Sequence, residues 1–310
     1  MADASLAPPG QRPAAFGTEA SPSPAEAPAL TLSGDVWRRL RKNRMAIVGL
    51  GIVLTLVLTS ILAPWIAPYP RDKGNLQISL QPPSLKHWFG TDLNGRDYFS
   101  RVIYGARISV SIGVVAVSIA LAVGLSVGAL AGYFGRALDA VTMRAADVFL
   151  AFPYVVLAIV FITLFQDKIP RLLALYIAIG MIGWASLARL FRSTILQVKN
   201  MEYVEAVRAL GAGHWRTLSR HVIPNALAPV IVFATIYTGT VILTEAALSF
   251  LGVGVLPPTP AWGLLVGEGR GYMTSEPWLV LFPGLAIALT VLGFIFLGDG
   301  LRDAMDPRLR

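Results

Sequence analysis

The sequence contains no cysteine and few charged residues. Without cysteine, the chain cannot form a disulfide or a thiolate metal site. Charged side chains make up 14% of the residues, whereas an average soluble domain has about a quarter. The Walker A pattern GxxxxGK[ST] and the pattern GxGxxG, both of which bind nucleotide phosphates, are also absent. The chain is therefore not expected to bind a nucleotide by those routes.

Acidic and basic residues are missing altogether from six long apolar runs, and this absence indicates the fold class. About 20 mainly apolar residues span a bilayer, and the runs lack the period-two alternation of barrel strands. The sequence therefore predicts an all-α polytopic membrane protein with six transmembrane helices. The predicted spans are Met45–Pro70, Ile108–Gly135, Val148–Gln166, Leu172–Ala188, Val222–Thr244 and Pro277–Gly298.

The net charge of +8 is unevenly distributed along this predicted topology. With the N-terminus in the cytoplasm, 17 of the 26 Lys and Arg residues fall in cytoplasmic segments. Positive residues favour the cytoplasmic side, so we expect both termini to lie there. The first apolar run exceeds a signal-peptide core and lacks a small-residue cleavage site, which predicts an uncleaved first helix.

The N-terminal segments differ in composition from the spans. Residues 1–34 are rich in Pro, Ala and Ser, and they predict a disordered cytoplasmic tail. The basic stretch DVWRRLRKNR follows. It is either an amphipathic helix on the anionic inner leaflet or only a topology signal, and both interpretations stay open. Residues 35–98 combine this stretch with the first transmembrane helix and an outer loop.

Two further features lie beyond the first span. Gly90–Ser109 has apolar residues at helical spacing, which predicts a helix lying on the outer surface. Small residues recur on one face of the second span, and they predict close helix packing. This row comprises Ala120, Gly124, Gly128 and Gly132. Trp262 and Trp278 are expected at the membrane interface.

A polar insert, EAVRALGAGHWRTLSRHVIPNALAPV, separates the predicted fourth and fifth spans. Its histidines, His214 and His221, lie about 10 Å apart on a continuous helix, too far for one metal ion, and the sequence offers no third ligand. We expect no metal site and no catalysis by this chain. The insert superficially resembles a helix-turn-helix, but membrane helices flank it on both sides, so nucleic acid is not an expected partner.

A docking surface for a cytoplasmic protein is the favoured interpretation of the insert. The residues of Met201–Leu210 favour a helix. Gly211 and Gly213 permit a chain reversal after it. Pro224 lies at the entry of the fifth span, where its missing N–H costs little. The insert is therefore expected to form a short helix anchored at both ends to membrane spans.

The stretch EAVRALGAGHWRTLSRHVIPN resembles the EAA loop of membrane subunits of ABC importers. That pattern reads E-A-A, three residues, Gly, nine residues, I-x-L-P. The matching positions are Glu205, Ala206, Gly211, Ile223 and Pro224. Val207 replaces the second alanine, and His221 takes the place of the first isoleucine. Longer stretches, among them FGTDLNGRDYFSRVIYGARIS and LTEAALSFLGVGVLPPTPAWG, resemble the C-type permease subunit of the dipeptide/oligopeptide/nickel family.

The resemblance implies the permease fold of a type I ABC importer, in a prokaryotic cytoplasmic membrane. It implies a second permease subunit, two cytoplasmic ATPases and an extracytoplasmic solute-binding protein as partners. ATP and Mg²⁺ would be used by the ATPases, with no cofactor bound by this chain. By the resemblance, residues 99–298 form the transmembrane domain, with an ATPase-coupling loop at about 200–224, and residues 299–310 form a cytoplasmic tail.

The resemblance leaves the cargo and one acidic residue open. It implies import of dipeptides or oligopeptides, with nickel, glutathione or another small solute as the alternative. A stand-alone channel would not need the coupling loop, and an enzyme would need catalytic side chains that the sequence lacks. Glu245, inside the fifth span, either faces the translocation path or hydrogen-bonds to a neighbouring helix.

Overall fold

Long helices make up most of the described chain. The computed structural model describes residues 32–305. Residues 1–31 of the predicted disordered tail and residues 306–310 of the predicted cytoplasmic tail lie outside this range. The helices are α1 (Leu32–Leu40), α2 (Arg44–Ile66), α3 (Tyr98–Phe134), α4 (Arg136–Ala151), α5 (Tyr154–Phe165), α6 (Arg171–Val198), α7 (Glu202–Ala209), α8 (His214–Thr217), α9 (Ile223–Ala226), α10 (Ala228–Phe250), α11 (Trp262–Gly269) and α12 (Trp278–Met305).

Five of these helices, α2, α3, α6, α10 and α12, are long and apolar enough to cross a membrane. The pair α4 and α5 also qualifies if it is counted as one span, but it bends by 95°. The predicted third span was continuous, and in this respect the prediction is wrong. A residue before proline disfavours helical geometry, and Phe152, before Pro153, is extended with ψ 144°.

Helices α6, α10 and α12 depart from the predicted span limits. The helix predicted to end at Ala188 continues as α6 to Val198, and the helix predicted to end at Gly298 continues as α12 to Met305. The fifth span begins at Ala228 and not at Val222. Charged residues end an apolar run, but Arg, Lys and Glu are good helix formers, so the helical backbone continues beyond the run.

Helix α3 overturns the prediction of a separate surface helix at Gly90–Ser109. It begins at Tyr98 and runs without interruption for 37 residues, or about 55 Å at 1.5 Å per residue. Asp97 caps its start, because the carboxylate accepts the backbone N–H of Ser100 at 2.8 Å. The helix therefore exceeds the hydrocarbon core of a bilayer, which is roughly 30 Å thick.

The predicted row of small residues packs against α6, which confirms that prediction. A Cβ atom added to Gly124 would lie 2.7 Å from the Cβ of Leu187, and one added to Gly128 would lie 2.6 Å from the carbonyl oxygen of Ala188. No real side chain fits at such distances. The absence of side chains lets the two backbones approach closely, so α3 and α6 form one tightly packed pair.

The short helix α11 packs among α3, α10 and α12. Trp262 is 1% exposed, so its expected position at the membrane interface is wrong. Its indole Nε1–H donates to the carbonyl oxygen of Val102 at 2.9 Å. The ring fits because Gly105 leaves space beside it on α3, where an added Cβ would lie 3.0 Å from the indole Cδ1 atom.

Candidate functional site

The polar insert folds into short helical pieces between α6 and α10. The predicted helix over Met201–Leu210 is confirmed as α7. Gly211 has φ +85°, a left-handed conformation that glycine adopts without strain, and the chain reverses there. Gly213 has an ordinary φ of −66°, so only the first of the two glycines is required by the backbone.

A π-helical turn, Leu218–Val222, joins α8 to α9. Turns of this kind are rare and occur frequently at functional sites. Pro224 follows in α9 and has no N–H to donate. In the same turn, the carbonyl oxygen of His221 accepts the hydroxyl of Tyr203 at 3.2 Å and the Nδ2–H of Asn225 at 2.7 Å. Tyr203 thereby ties α7 to the π-helical turn.

One face of the insert presents large apolar side chains to solvent. Leu210 is 88% exposed and Trp215 is 68% exposed. Glu205 and Ala206, beside them in the sequence, are exposed as well. Apolar patches exposed at a surface mark interaction sites, and Leu210 and Trp215 are the candidates for one here. Only Val204 of α7 is buried, so the helix touches the membrane domain along a narrow edge.

Among the remaining residues singled out from the sequence, Pro224 is exposed, while Val207, His221 and Ile223 are half-buried. His214 is exposed and packs against aromatic rings of α3. Nothing in the structure explains why valine stands at position 207, where the family pattern has alanine.

The last turn of α3 supports the insert through three contacts. The guanidinium carbon of Arg208 lies 5.5 Å from the ring centroid of Tyr133, a cation–π contact. The hydroxyl of Tyr133 lies 3.3 Å from Nδ1 of His214. The ammonium group of Lys199 donates to the carbonyl oxygen of Gly132 at 2.7 Å. The beginning, the helix and the reversal of the insert therefore all contact one end of α3.

Burial shifts the ionisation of two side chains around this contact. Desolvation lowers the pKa of the Lys199 ammonium group, and the nearby positive charge of Arg208 lowers this pKa further. Desolvation also raises the pKa of the Tyr203 hydroxyl.

Glu245 lies between α3 and α10 and is fully buried. Its carboxylate accepts the hydroxyl of Ser109 on α3 at 2.9 Å and that of Ser249, one turn along α10, at 2.7 Å. Of the two alternatives for this residue, the structure shows the hydrogen bond to a neighbouring helix. In this conformation the carboxylate does not face an open path.

Sequence reasoning missed a buried ionic network at the N-terminal end of α3. Oδ2 of Asp92 accepts Nε–H of Arg96 at 2.6 Å and Nη1–H of Arg101 at 2.5 Å, and the same nitrogen of Arg101 contacts Glu268 at 2.9 Å. Arg101 is fully buried. Asp92 and Arg96 flank a turn outside any helix, so helical spacing could not indicate their pairing. Glu268, the third partner, is far from Asp92 and Arg101 in the sequence, so its participation could not be predicted.

Comparison with known proteins identifies the family of this chain. Residues 124–310 match the model of the binding-protein-dependent transport system inner membrane component family. The chain belongs to this family. Residues 31–83 match the model of the N-terminal transmembrane domain of oligopeptide transport permease C. The chain is thus a membrane permease component, and membership implies ATPase and solute-binding partners in general terms.

Curated relatives cover nearly the whole chain. The dipeptide transport system permease protein DppC of Alkalihalophilus pseudofirmus is 43% identical over 89% of this chain and 90% of its own length. The oligopeptide transport system permease protein OppC of Bacillus subtilis is 42% identical over 91% and 92%. The glutathione transport system permease protein GsiD of Escherichia coli is 43% identical over 89% and 90%.

A solved structure shares the fold. A chain from an inward-facing structure of the MetNI methionine ABC transporter superposes with a TM-score of 0.55. The match covers 66% of this chain and 96% of that chain, at 20% sequence identity. The likeness shows that the helices adopt the fold of an ABC importer permease.

Proposed function

We propose that this chain is a permease subunit of an ATP-driven importer that carries dipeptides or oligopeptides across the cytoplasmic membrane. A related permease subunit completes the pore as a heterodimer, and a binding protein delivers the solute from outside. Two cytoplasmic ATPases bind and hydrolyse ATP with Mg²⁺, and this chain binds no cofactor. Both termini and the polar insert lie in the cytoplasm.

The observation that supports coupling is the exposed apolar surface on a firmly held insert. Leu210 and Trp215 present large side chains beside Glu205 and Ala206, while contacts to α3 hold the insert in place. A surface of this kind fits a cleft on an ATPase. The carboxylate of Glu205 is free to pair with a basic residue of that partner, and Gly211 allows the close turn beneath it.

Helix α3 supplies a route from the insert to the outer face. Its inner end holds Tyr133, against which the insert packs. At the outer end, the hydroxyl of Tyr98 donates to the carbonyl oxygen of Leu279 at 2.6 Å, and Arg101 contacts Glu268 of α11. A rigid helix fixed at both ends transmits a displacement along its length. Closure of the ATPases would then reposition α11 and α12, and alternating access results from two packings of the same helices.

The coupling role is tested with two substitutions in the insert, Leu210→Ser and Gly211→Val. Leu210→Ser should reduce uptake and weaken retention of the ATPase during purification, because it removes apolar area from the docking surface. Leu85→Ser is the matched control, since Leu85 is 99% exposed on the outer loop. Gly211→Val should leave membrane insertion intact and lower the solute imported per ATP hydrolysed.

Normal uptake and ATPase retention in both Leu210→Ser and Gly211→Val would contradict the proposed docking role. An equal loss in Leu85→Ser would show that the assay reports general damage to the membrane domain. Glu205→Gln separates charge from shape at the same surface. We expect it to weaken ATPase retention, and the loss should diminish at high salt because screening already reduces the pairing of exposed charges.

Glutathione is the second candidate cargo, because the GsiD relative is as similar to this chain as the dipeptide relative DppC. Nickel or another small solute is a further alternative within the same importer class. Co-purification of the cognate binding protein and identification of its bound ligand decides among them. A bound peptide supports the proposal, whereas glutathione or a metal ion replaces it.

A further inference from the structure

The basic stretch before the first span takes no part in the proposed coupling. Helix α1 packs against the inner end of α12, where Val36 and Leu40 contact Leu301 and Ala304. Leu40 is only 7% exposed. Because protein covers this apolar face, α1 does not lie on the bilayer by means of it, contrary to one of the two interpretations drawn from the sequence.

The turn between α1 and α2 is fixed to the same end of α12. The side-chain oxygen of Asn43 accepts the backbone N–H groups of Met45 and Ala46 at 3.0 and 3.2 Å, which caps α2. Its Nδ2–H donates to Asp303 at 3.0 Å. Caps of this type contribute about 1 kcal/mol. The turn therefore holds its neighbouring side chains at a defined place, where α2 begins.

Four cations lie in this turn and in the adjoining ends of α1 and α2, and they are named here the basic elbow. Its members, Arg38, Arg41, Lys42 and Arg44, are all exposed. The ion pairs found within residues 32–305 involve none of these four side chains. Lys42 also borders a cavity of about 330 Å³ whose lining includes Asp303, and Asn43 already donates to that carboxylate. The elbow thus concentrates positive charge, and no acidic side chain among the described residues forms an ion pair with it.

The surroundings of the basic elbow are apolar and open. Arg44 is the first residue of α2, and the next turn exposes Met45, Ile47 and Val48 by about half. In the most apolar stretch of α2, only 22% is buried within the chain, compared with 61% in the corresponding stretch of α6. Trp37 is 52% exposed on α1, and tryptophan favours the headgroup level of a bilayer. Positive charge above an open apolar helix face complements a lipid with an anionic headgroup.

We propose that the basic elbow binds the phosphate headgroup of an anionic phospholipid, whose acyl chains lie along the start of α2. Basic clusters immediately cytoplasmic of a membrane helix attract such lipids, each cation strengthening binding about fivefold. The proposal relies on the membrane orientation of the proposed function. Its test uses the purified chain without ATP or partner subunits, so its failure is distinguishable from failure of the coupling role.

Native mass spectrometry of the full-length chain tests the proposal. The protein is purified in detergent and mixed with equal amounts of phosphatidylglycerol and phosphatidylcholine. We expect the wild-type chain to retain phosphatidylglycerol preferentially. Replacing all four members of the elbow by glutamine should reduce the ratio of retained lipids about tenfold or more. Neutralising two exposed cations of the outer loop, by Lys73→Gln and Lys86→Gln, should leave the ratio unchanged.

A charge-retaining variant separates binding from folding. Arg38→Lys, Arg41→Lys and Arg44→Lys together keep the charge, so the preference for phosphatidylglycerol should persist. Equal retention of both lipids by the wild-type chain overturns the proposal. Displacement of phosphatidylglycerol by soluble glycerol phosphate at similar concentration also overturns it, because the site would then recognise free phosphate. An unchanged ratio in the glutamine variant likewise overturns it, because the preference would then not depend on the basic elbow.

Discussion

Substitution of Gly128 by alanine tests the close packing between α3 and α6. The new methyl carbon would lie 2.6 Å from the carbonyl oxygen of Ala188 and 3.1 Å from the Cβ of Phe191. Carbon atoms pack at about 3.5–4.0 Å, so the helices must separate by up to about 1 Å. Overpacking of this kind costs about 1–3 kcal/mol. At 2 kcal/mol, the ratio of folded to unfolded protein falls about 30-fold.

Gly51→Ala is the matched control for this experiment. Gly51 lies in α2, and nothing lies within 4 Å of an added Cβ. Alanine favours helix over glycine by about 1 kcal/mol, so the control should be neutral or stabilised. Unfolding by sodium dodecyl sulfate in mixed micelles, followed by circular dichroism, measures both variants. Equal stability of Gly128→Ala and Gly51→Ala would refute the packing argument, since propensity alone would then account for both.

Two further predictions concern buried charge. Arg101→Met should destabilise the chain by about 3–5 kcal/mol in the same unfolding assay, because Asp92 and Glu268 lose a buried partner. Arg71→Met should change stability by at most about 1 kcal/mol, because its ion pair is solvent-exposed and its side chain is 40% exposed. Glu245→Gln should retain solute uptake if the residue serves helix packing, since the glutamine amide can accept one serine hydroxyl and donate to the other. A loss of uptake without a loss of stability would instead place Glu245 in the translocation path.

Much of the membrane topology was predictable because the bilayer imposes one requirement on every span. Apolar runs located all five long spanning helices, and the composition of the insert predicted α7. The reversal at Gly211 was predictable as well, since glycine tolerates a positive φ. Each of these features depends on residues that are close together in the sequence, so the sequence alone was sufficient to predict it.

Features that depend on distant residues were not predictable from the chain alone. Apolar residues at helical spacing at the start of α3 indicated a separate surface helix, but the segment is continuous with the span, and Arg101 within it is paired with Asp92 and with Glu268 from another helix. Likewise, tryptophan is a residue type that favours the membrane interface, yet Trp262 is buried because Gly105 leaves room for its ring. In both cases tertiary partners reverse the preference of the isolated segment.

The length of α3 connects these observations to transport. A helix of about 55 Å exceeds the hydrocarbon core, so its two ends reach the headgroup regions on both sides. The glycine row makes α3 and α6 a single packed pair, and such pairs shift as units because packed interfaces do not deform continuously. The insert contacts this pair at Tyr133, while the buried network at Arg101 joins it to α11. In the proposed mechanism, a displacement of the insert would reach α11 through this one packed pair.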